Sequence, residues 1–88
     1  MHDDERVIKS YVWHGGVECF FVSTIERDSS SALDPGRYNE TLVWRYDWEK
    51  KERLNLCWQR AGARGLITSH LSVCEELHRD GELKPDWP

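Results

Sequence analysis

The chain has 88 residues, the size of one small domain, and its large side chains include five tryptophans. With a net charge of −4, the chain lacks the general attraction for nucleic acid that a basic protein has. It contains no run of eighteen apolar residues that could span a membrane as a helix. Residues 1–6 are acidic and polar, unlike a signal peptide. The three cysteines are odd in number and widely spaced, which fits neither a disulfide framework nor a CxxC metal site. We therefore expect a cytoplasmic protein with reduced thiols.

Two extended segments joined by Gly15-Gly16 open the chain. Residues 7–14 and 17–25 are rich in β-branched and aromatic types, which favours strands, and both central residues of a type I′ turn need a positive φ. A two-residue loop would place Tyr11 opposite Phe20. The sequence therefore predicts a hairpin with that register.

A loop and a third strand are predicted next. Residues 27–37 combine a serine run with Asp-Pro-Gly, which is turn chemistry, and residues 38–46 alternate as a strand does. Leu42, Trp44 and Tyr46 would share one side of that strand. A third antiparallel strand is thus expected beside the hairpin.

The segment 48–61 has two interpretations. Asp47 has the character of a helix N-cap, and apolar residues follow at helical spacing, namely Leu54, Cys57, Trp58 and Ala61. The alternative is a hairpin near Lys50-Lys51 that continues into another strand. The helix is the preferred prediction.

A C-terminal helix is predicted to begin near Gly65 and to end at Asp80-Gly81. Thr68 or Ser69 could cap its start, and an apolar stripe would consist of Ile67, Leu71, Cys74 and Leu77. The fold expected is α+β, a three-stranded antiparallel sheet with one or two C-terminal helices on one face. It would form one domain over residues 1–88, with frayed tails at about 1–6 and 82–88.

The predicted hairpin is apolar on both faces, and short helices can cover only one of them. The face with Tyr11, Trp13 and Phe20 would then meet solvent or a partner, with Lys9 and Arg45 at its rim. The opposite assignment, in which this aromatic face is the core, is equally compatible with the periodicity. Either arrangement leaves apolar sheet surface to be covered, which favours a protein partner or a homodimer.

Metal and thiol chemistry have weak signals. His70, Cys74 and His78 stand four residues apart on the last helix, but one helix presents all three poorly to one ion, and a buried Cys74 is the simpler interpretation. Cys19, near His14, and Cys57 could be imagined as nucleophiles, yet Cys19 suits a core position better. No phosphate-binding glycine loop, cofactor motif or small-molecule site is evident.

A basic, aromatic segment covers residues 44–64. The members are Arg45, Lys50, Lys51, Arg53, Arg60 and Arg64, interleaved with Trp44, Trp48 and Trp58. Residues 37–65 hold seven bases and four acids, whereas both flanking segments are acidic. Cationic grooves beside stacking rings bind single-stranded nucleic acid.

The functional prediction is accordingly a small non-enzymatic interaction module that binds a protein partner, or itself, through an aromatic sheet face. The alternative is a single-stranded nucleic-acid-binding domain that uses segment 44–64.

Overall fold

The computed structural model describes residues 6–29, 36–62 and 65–84. Four strands are followed by one helix, namely β1 (Arg6–His14), β2 (Glu18–Ser29), β3 (Gly36–Asp47), β4 (Glu52–Gly62) and α1 (Leu66–Asp80). The strands form one antiparallel sheet in the order β1-β2-β3-β4. The α+β class is confirmed, but the prediction of three strands was wrong by one.

The additional strand is the segment interpreted as a helix after Asp47. The Asp47 carboxylate accepts hydrogen bonds from the backbone N–H groups of Glu49 and Lys50, at 3.0 and 3.1 Å. These bonds close a turn instead of capping a helix, and Lys51 completes the reversal with a φ of 55°. The chain then returns as β4 along β3, so the alternative hairpin near Lys50-Lys51 is the correct one.

The first hairpin has the predicted turn but a different register. Gly15 and Gly16 have φ values of 65° and 72°, and the Val17 N–H donates to the His14 carbonyl at 3.3 Å. Pairing resumes with His14 opposite Glu18, so Val17 is an extra residue and is 82% exposed. A shift of one residue moves every side chain of a strand to the other face.

The corrected pairing places Val12 opposite Phe20 and Tyr11 opposite Phe21, instead of Tyr11 opposite Phe20. The even-numbered residues of β1 and β2 therefore share one face, and that face packs against α1. The core between sheet and helix consists of Val12, Phe20, Val22, Val43, Val73, Leu77 and Leu83, with Trp58 and Cys74 packed against it.

A polar layer lies beside this core, at the N-terminal half of the helix. His70 is 2% exposed, and its Nε2 and Nδ1 atoms lie 2.7 Å from the Ser10 hydroxyl and 2.8 Å from the Thr24 hydroxyl. Thr24 also hydrogen-bonds with the Thr41 hydroxyl at 2.9 Å. Side chains of the first three strands thus hold the buried imidazole.

The helix ends where the sequence predicts. Gly81 has a φ of 72°, and its N–H donates to the Leu77 carbonyl at 2.8 Å. The start differs, because Gly65 occupies the N-cap without a side-chain cap, and the Ser69 hydroxyl instead accepts a hydrogen bond from Asn39 at 2.9 Å.

The predicted apolar stripe of α1 was partly wrong. Ile67 and Leu71 are 64% and 52% exposed, whereas His70, Val73 and Leu77 are buried. The sheet therefore contacts a helix face rotated from the most apolar one, because His70 finds hydroxyl partners there.

The segment after the helix contacts the rest of the fold as far as Lys84. Leu83 is 5% exposed, and the Lys84 N–H donates to the Glu76 carboxylate at 2.9 Å. Arg60 donates to the Lys84 carbonyl at 2.5 Å and to Glu76 at 3.2 Å. The predicted tails at 1–5 and 85–88 lie outside the described residues, as do residues 30–35 of the predicted loop; its remaining residues belong to β2 and β3.

Candidate functional site

The sheet face opposite α1 carries a continuous cluster of aromatic rings, here called the aromatic face. Odd-numbered residues of β1 and β2 pair with even-numbered residues of β3, which brings these rings to one side. The cluster consists of Tyr11, Trp13, Phe21, Trp44, Tyr46 and Trp48.

Tyr11 lies at the centre of the cluster. Its ring centroid is 4.8 Å from that of Tyr46, 5.3 Å from that of Trp48 and 5.4 Å from that of Phe21. The interplanar angles of 56°, 87° and 51° are those of tilted and edge-to-face pairs, which the ring quadrupoles favour. The rings therefore support one another as a preorganised surface.

Two further contacts extend the aromatic face in opposite directions. Trp13 lies 5.6 Å from Trp48, and Trp44 lies 5.6 Å from Phe21. Tyr11, Trp48 and Trp13 remain 49%, 43% and 36% exposed. Rings in mutual contact that stay this exposed form an apolar patch of the kind that marks a binding site.

Cations lie directly over some of these rings. The Arg53 guanidinium is 4.7 Å from the Trp44 centroid and 5.6 Å from that of Phe21, and the Lys51 ammonium is 4.7 Å from the Trp48 centroid. The β3–β4 hairpin makes this possible, because β4 pairs beside β3 and places Arg53 opposite Tyr46 at the edge of the ring cluster. Such contacts are attractive and leave the positive charge at the solvent boundary.

Charge is distributed unevenly between the two sides of the sheet. Lys9, which is exposed, shares the aromatic face with Arg53, and Glu40 on that side accepts a hydrogen bond from Gln59 at 3.4 Å. On the helix side, Glu75 is joined by three carboxylates that pair with arginines, namely Glu18 with Arg45, Glu76 with Arg60 and Asp80 with Arg79. The aromatic face is thus locally basic in an acidic chain.

The surroundings shift the pKa of an ionisable group on each face, Glu76 on the helix side and Tyr46 on the aromatic face. Burial would raise the pKa of Glu76, but hydrogen bonds from the Lys84 N–H and from Arg60 outweigh it and lower the pKa. On the aromatic face, the pKa of Tyr46 is raised by desolvation and by its contact with Tyr11.

The predicted partner-binding residues divide between the two faces. Tyr11, Trp13 and Lys9 lie on the side of the sheet opposite α1 and are exposed. Phe20 does not, since it is fully buried beneath the helix and cannot contact a partner. Arg45 pairs with Phe20 across the strands, lies 5.6 Å from the Phe20 centroid and bonds to Glu18 at 2.9 Å, so it belongs to the helix side.

The basic segment 44–64 is divided in the same way. Trp44, Trp48, Lys51 and Arg53 contribute to the aromatic face, whereas Trp58 packs against the core. Arg60 binds Glu76 beside the helix, Lys50 is exposed in the turn, and Arg64 lies outside the described residues.

Sequence reasoning missed Phe21 and Tyr46 as members of the surface. Strand alternation separates each of them from its neighbours in the sequence. It assigns Phe21 to the aromatic face only when the hairpin has the register in which Val17 is an extra residue. That signal was weak, because Phe20 and Phe21 are adjacent and either could be the core residue.

The residues considered for metal binding do not converge. His70 is buried among hydroxyls, whereas His78 is exposed and its Nδ1 donates to the Trp13 carbonyl at 2.7 Å. Within residues 6–29, 36–62 and 65–84, no group of three or more His, Cys, Asp or Glu side chains is arranged to hold a metal ion.

Burial disfavours the reactive thiolate form of two of the three cysteines, Cys19 and Cys74. Burial raises the pKa of Cys19. Burial also raises the pKa of Cys74, and this effect outweighs the hydrogen bond with the Ser10 hydroxyl, which lowers it. Cys57 is free and half-buried, close to the Asn55 carbonyl at 3.6 Å. Thiols with a raised pKa are protonated near neutral pH and react slowly.

Comparison with protein-family models, with curated proteins and with solved structures found no match to this chain. In the part of the chain that the structure describes, no helix is long and apolar enough to cross a membrane.

Proposed function

We propose that this chain is a single-stranded nucleic-acid-binding domain that binds its ligand on the aromatic face. The observation that carries the proposal is the placement of Arg53 and Lys51 over rings of the sheet face opposite α1. An exposed π surface combined with positive charge suits a ligand that offers flat bases and phosphates together. Neither feature alone would distinguish nucleic acid from an apolar partner.

The exposure of the rings supports base stacking. Tyr11, Trp13 and Trp48 are each more than one third exposed; Tyr46 contacts both Tyr11 and Trp48, and Trp48 contacts Trp13. Bases of a single strand are free to stack on aromatic side chains, whereas those of a duplex are already stacked on one another. The ligand class is therefore single-stranded.

The overall charge of −4 does not oppose this proposal. Salt screens charges that lie more than about 8–10 Å apart in solution, so the local field over the aromatic face depends mainly on Lys9, Lys51 and Arg53. The α1 carboxylates lie on the far side of the sheet. Few phosphates would be neutralised, which implies modest affinity that weakens with salt.

A second candidate is association through the same face with a protein partner or a second copy. It is favoured by the half-exposed rings of Tyr11 and Trp48, which would be buried in such an interface. In a two-fold pair of aromatic faces, the cations of Lys51 and Arg53 would approach the same basic surface on the other copy. That repulsion places self-association second.

The test is a titration of intrinsic tryptophan fluorescence with single-stranded oligothymidine and oligouridine. The expected result is saturable quenching at about 50 mM salt that weakens markedly at about 200 mM. Tyr11→Ala keeps all five tryptophan reporters and should weaken binding by about tenfold to a hundredfold, since stacking contributes about 1–3 kcal/mol per base.

The matched control is Leu71→Ala, which removes an equally exposed apolar side chain from the outer side of α1. Its affinity should equal that of the wild type. Unchanged fluorescence for the wild type at both salt concentrations would rule out the nucleic-acid proposal. A concentration-dependent dimer in sedimentation that Tyr11→Ala dissociates would establish the second candidate instead.

A further inference from the structure

We infer that the aromatic face is divided between two tasks: Arg53, whose guanidinium lies over Trp44 and near Phe21, binds a phosphate, while Tyr11 and Trp13 stack bases. This inference rests on the proposed function and assigns the chemistry that each part of the face recognises. It makes Arg53 the residue through which the surface distinguishes a phosphodiester chain from an uncharged aromatic ligand.

The rings beneath Arg53 are already covered. Its guanidinium is centred 4.7 Å from the Trp44 ring and 5.6 Å from the Phe21 ring, and both rings are only half-exposed. A base could stack there only by displacing the guanidinium. The Tyr11 ring, by contrast, is 49% exposed and lies in the open centre of the cluster.

Guanidinium chemistry allows Arg53 to bind phosphate without leaving the rings. The group is planar, so one flat side rests on an aromatic ring while its N–H donors point outward along the plane. Those donors match two oxygens of a phosphate, and such charge-assisted pairs are about twice as strong as neutral hydrogen bonds. Arg53 is exposed, so the donors are accessible.

Lys51 differs from Arg53 in this respect. Its ammonium, 4.7 Å from the Trp48 centroid, is a compact and strongly hydrated charge at the end of a flexible chain. It can move to a phosphate and leave the Trp48 ring to a base. The lysine therefore adds charge to the surface without occupying a fixed phosphate position.

The two parts of the face are close enough to serve one strand. Phe21 lies beneath Arg53, and its ring centroid is 5.4 Å from that of Tyr11, which is the central exposed ring. A base on Tyr11 and a phosphate on Arg53 are thus separated by a single intervening ring. Neighbouring nucleotides of an extended strand can occupy both positions.

The experiment measures affinity for an oligothymidine of about eight nucleotides over a series of salt concentrations. For single strands, the slope of log K against log salt is about −0.7 for each phosphate neutralised. Arg53→Gln should lower the affinity and make the slope shallower by about 0.7. Tyr11→Ala should lower the affinity and leave the slope unchanged.

Two further variants make the result specific. Arg53→Lys keeps the charge and loses the flat, bidentate group, so it should retain the slope of the wild type with weaker binding. Arg79→Gln removes an exposed arginine of α1 that pairs with Asp80 at 3.1 Å, and it should change neither quantity. The unfolding midpoint of each variant verifies that it is folded.

A slope for Arg53→Gln equal to that of the wild type would overturn the assignment of phosphate binding to Arg53. A shallower slope for Tyr11→Ala would overturn the assignment of base stacking to Tyr11. Both results require that the wild type binds the oligonucleotide. A wild type that does not bind at all contradicts the proposed function itself, so the two failures are distinguishable.

Discussion

The two faces of this sheet are built from the same kinds of residue, but they are completed differently. On one side α1 buries Phe20 completely, and on the other Phe21, the next residue, meets rings and a cation at the solvent boundary. The helix side combines aliphatic packing with a polar layer around His70. The comparison shows that apolar content alone does not identify the core of a small sheet.

The largest expected effect separates these two phenylalanines. Phe20→Ala should lower the free energy of unfolding by about 3–5 kcal/mol, because it leaves a cavity under the helix. Phe21→Ala should lower it by only about 1–2 kcal/mol, since that ring is already partly solvated. Chemical denaturation of both variants measures the difference. Equal losses would contradict the assignment of the core to the helix side.

A smaller effect concerns pH and the polar layer of the helix side. Burial lowers the pKa of His70, so the unfolded chain binds a proton at pH values where the folded protein does not. Stability should therefore be constant above the unfolded pKa of about 6.5 and fall below it, by at most about 1.4 kcal/mol per pH unit, until the pH reaches the lowered pKa.

Denaturation at a series of pH values checks this expectation, with His70→Gln as the comparison. The stability of the variant should fall less steeply below about pH 6.5 than that of the wild type, if His70 causes the slope. Glu76 and Asp80 have lowered pKa values, so their contribution to stability is lost only when they become protonated, as the pH falls below about 4.5. A slope that persists in His70→Gln would assign the acid sensitivity to another group.

The smallest expected effect concerns Lys51, in the turn beside the aromatic face. Lys51 has a φ of 55°, which disfavours a side chain with a Cβ atom. Lys51→Gly should relieve that strain and raise stability by about 0.5 kcal/mol after the greater freedom of glycine in the unfolded chain is subtracted. It should also weaken oligonucleotide binding, because the cation over Trp48 is lost.

Lys50→Gly is the matched control, because it removes one charge from the same turn at a position without a positive φ. Thermal unfolding and the fluorescence titration measure both properties for each variant. Stabilisation by Lys50→Gly equal to that by Lys51→Gly would show that the φ of Lys51 stores no strain.

The candidate site could be predicted only in part. Tyr11, Trp13 and Lys9 follow from strand alternation, and the basic aromatic segment already contained Trp44, Trp48, Lys51 and Arg53. Their union into one surface was considered as an extension of that segment, but it could not be decided, because it depends on β4 pairing with β3. Phe20 was assigned to the wrong face because a single extra residue, Val17, changes the pairing.

The elements that can be predicted from the sequence alone are those determined by the local conformational preferences of the residues. Three strands, the Gly15-Gly16 turn and a helix ending at Gly81 depend on residues near one another in the sequence. Backbone preferences for positive φ and for extended or helical conformation operate over a few residues, so they can be recognised in the sequence.

Tertiary contacts decided the remaining features. Segment 52–62 has helical spacing yet forms β4, in which pairing with β3 places Trp58 against the core between sheet and helix. The helix turns His70 toward the sheet because hydroxyls on separate strands receive it, which leaves Ile67 and Leu71 exposed. These partners lie far apart in the chain, and only the folded arrangement brings them within bonding distance.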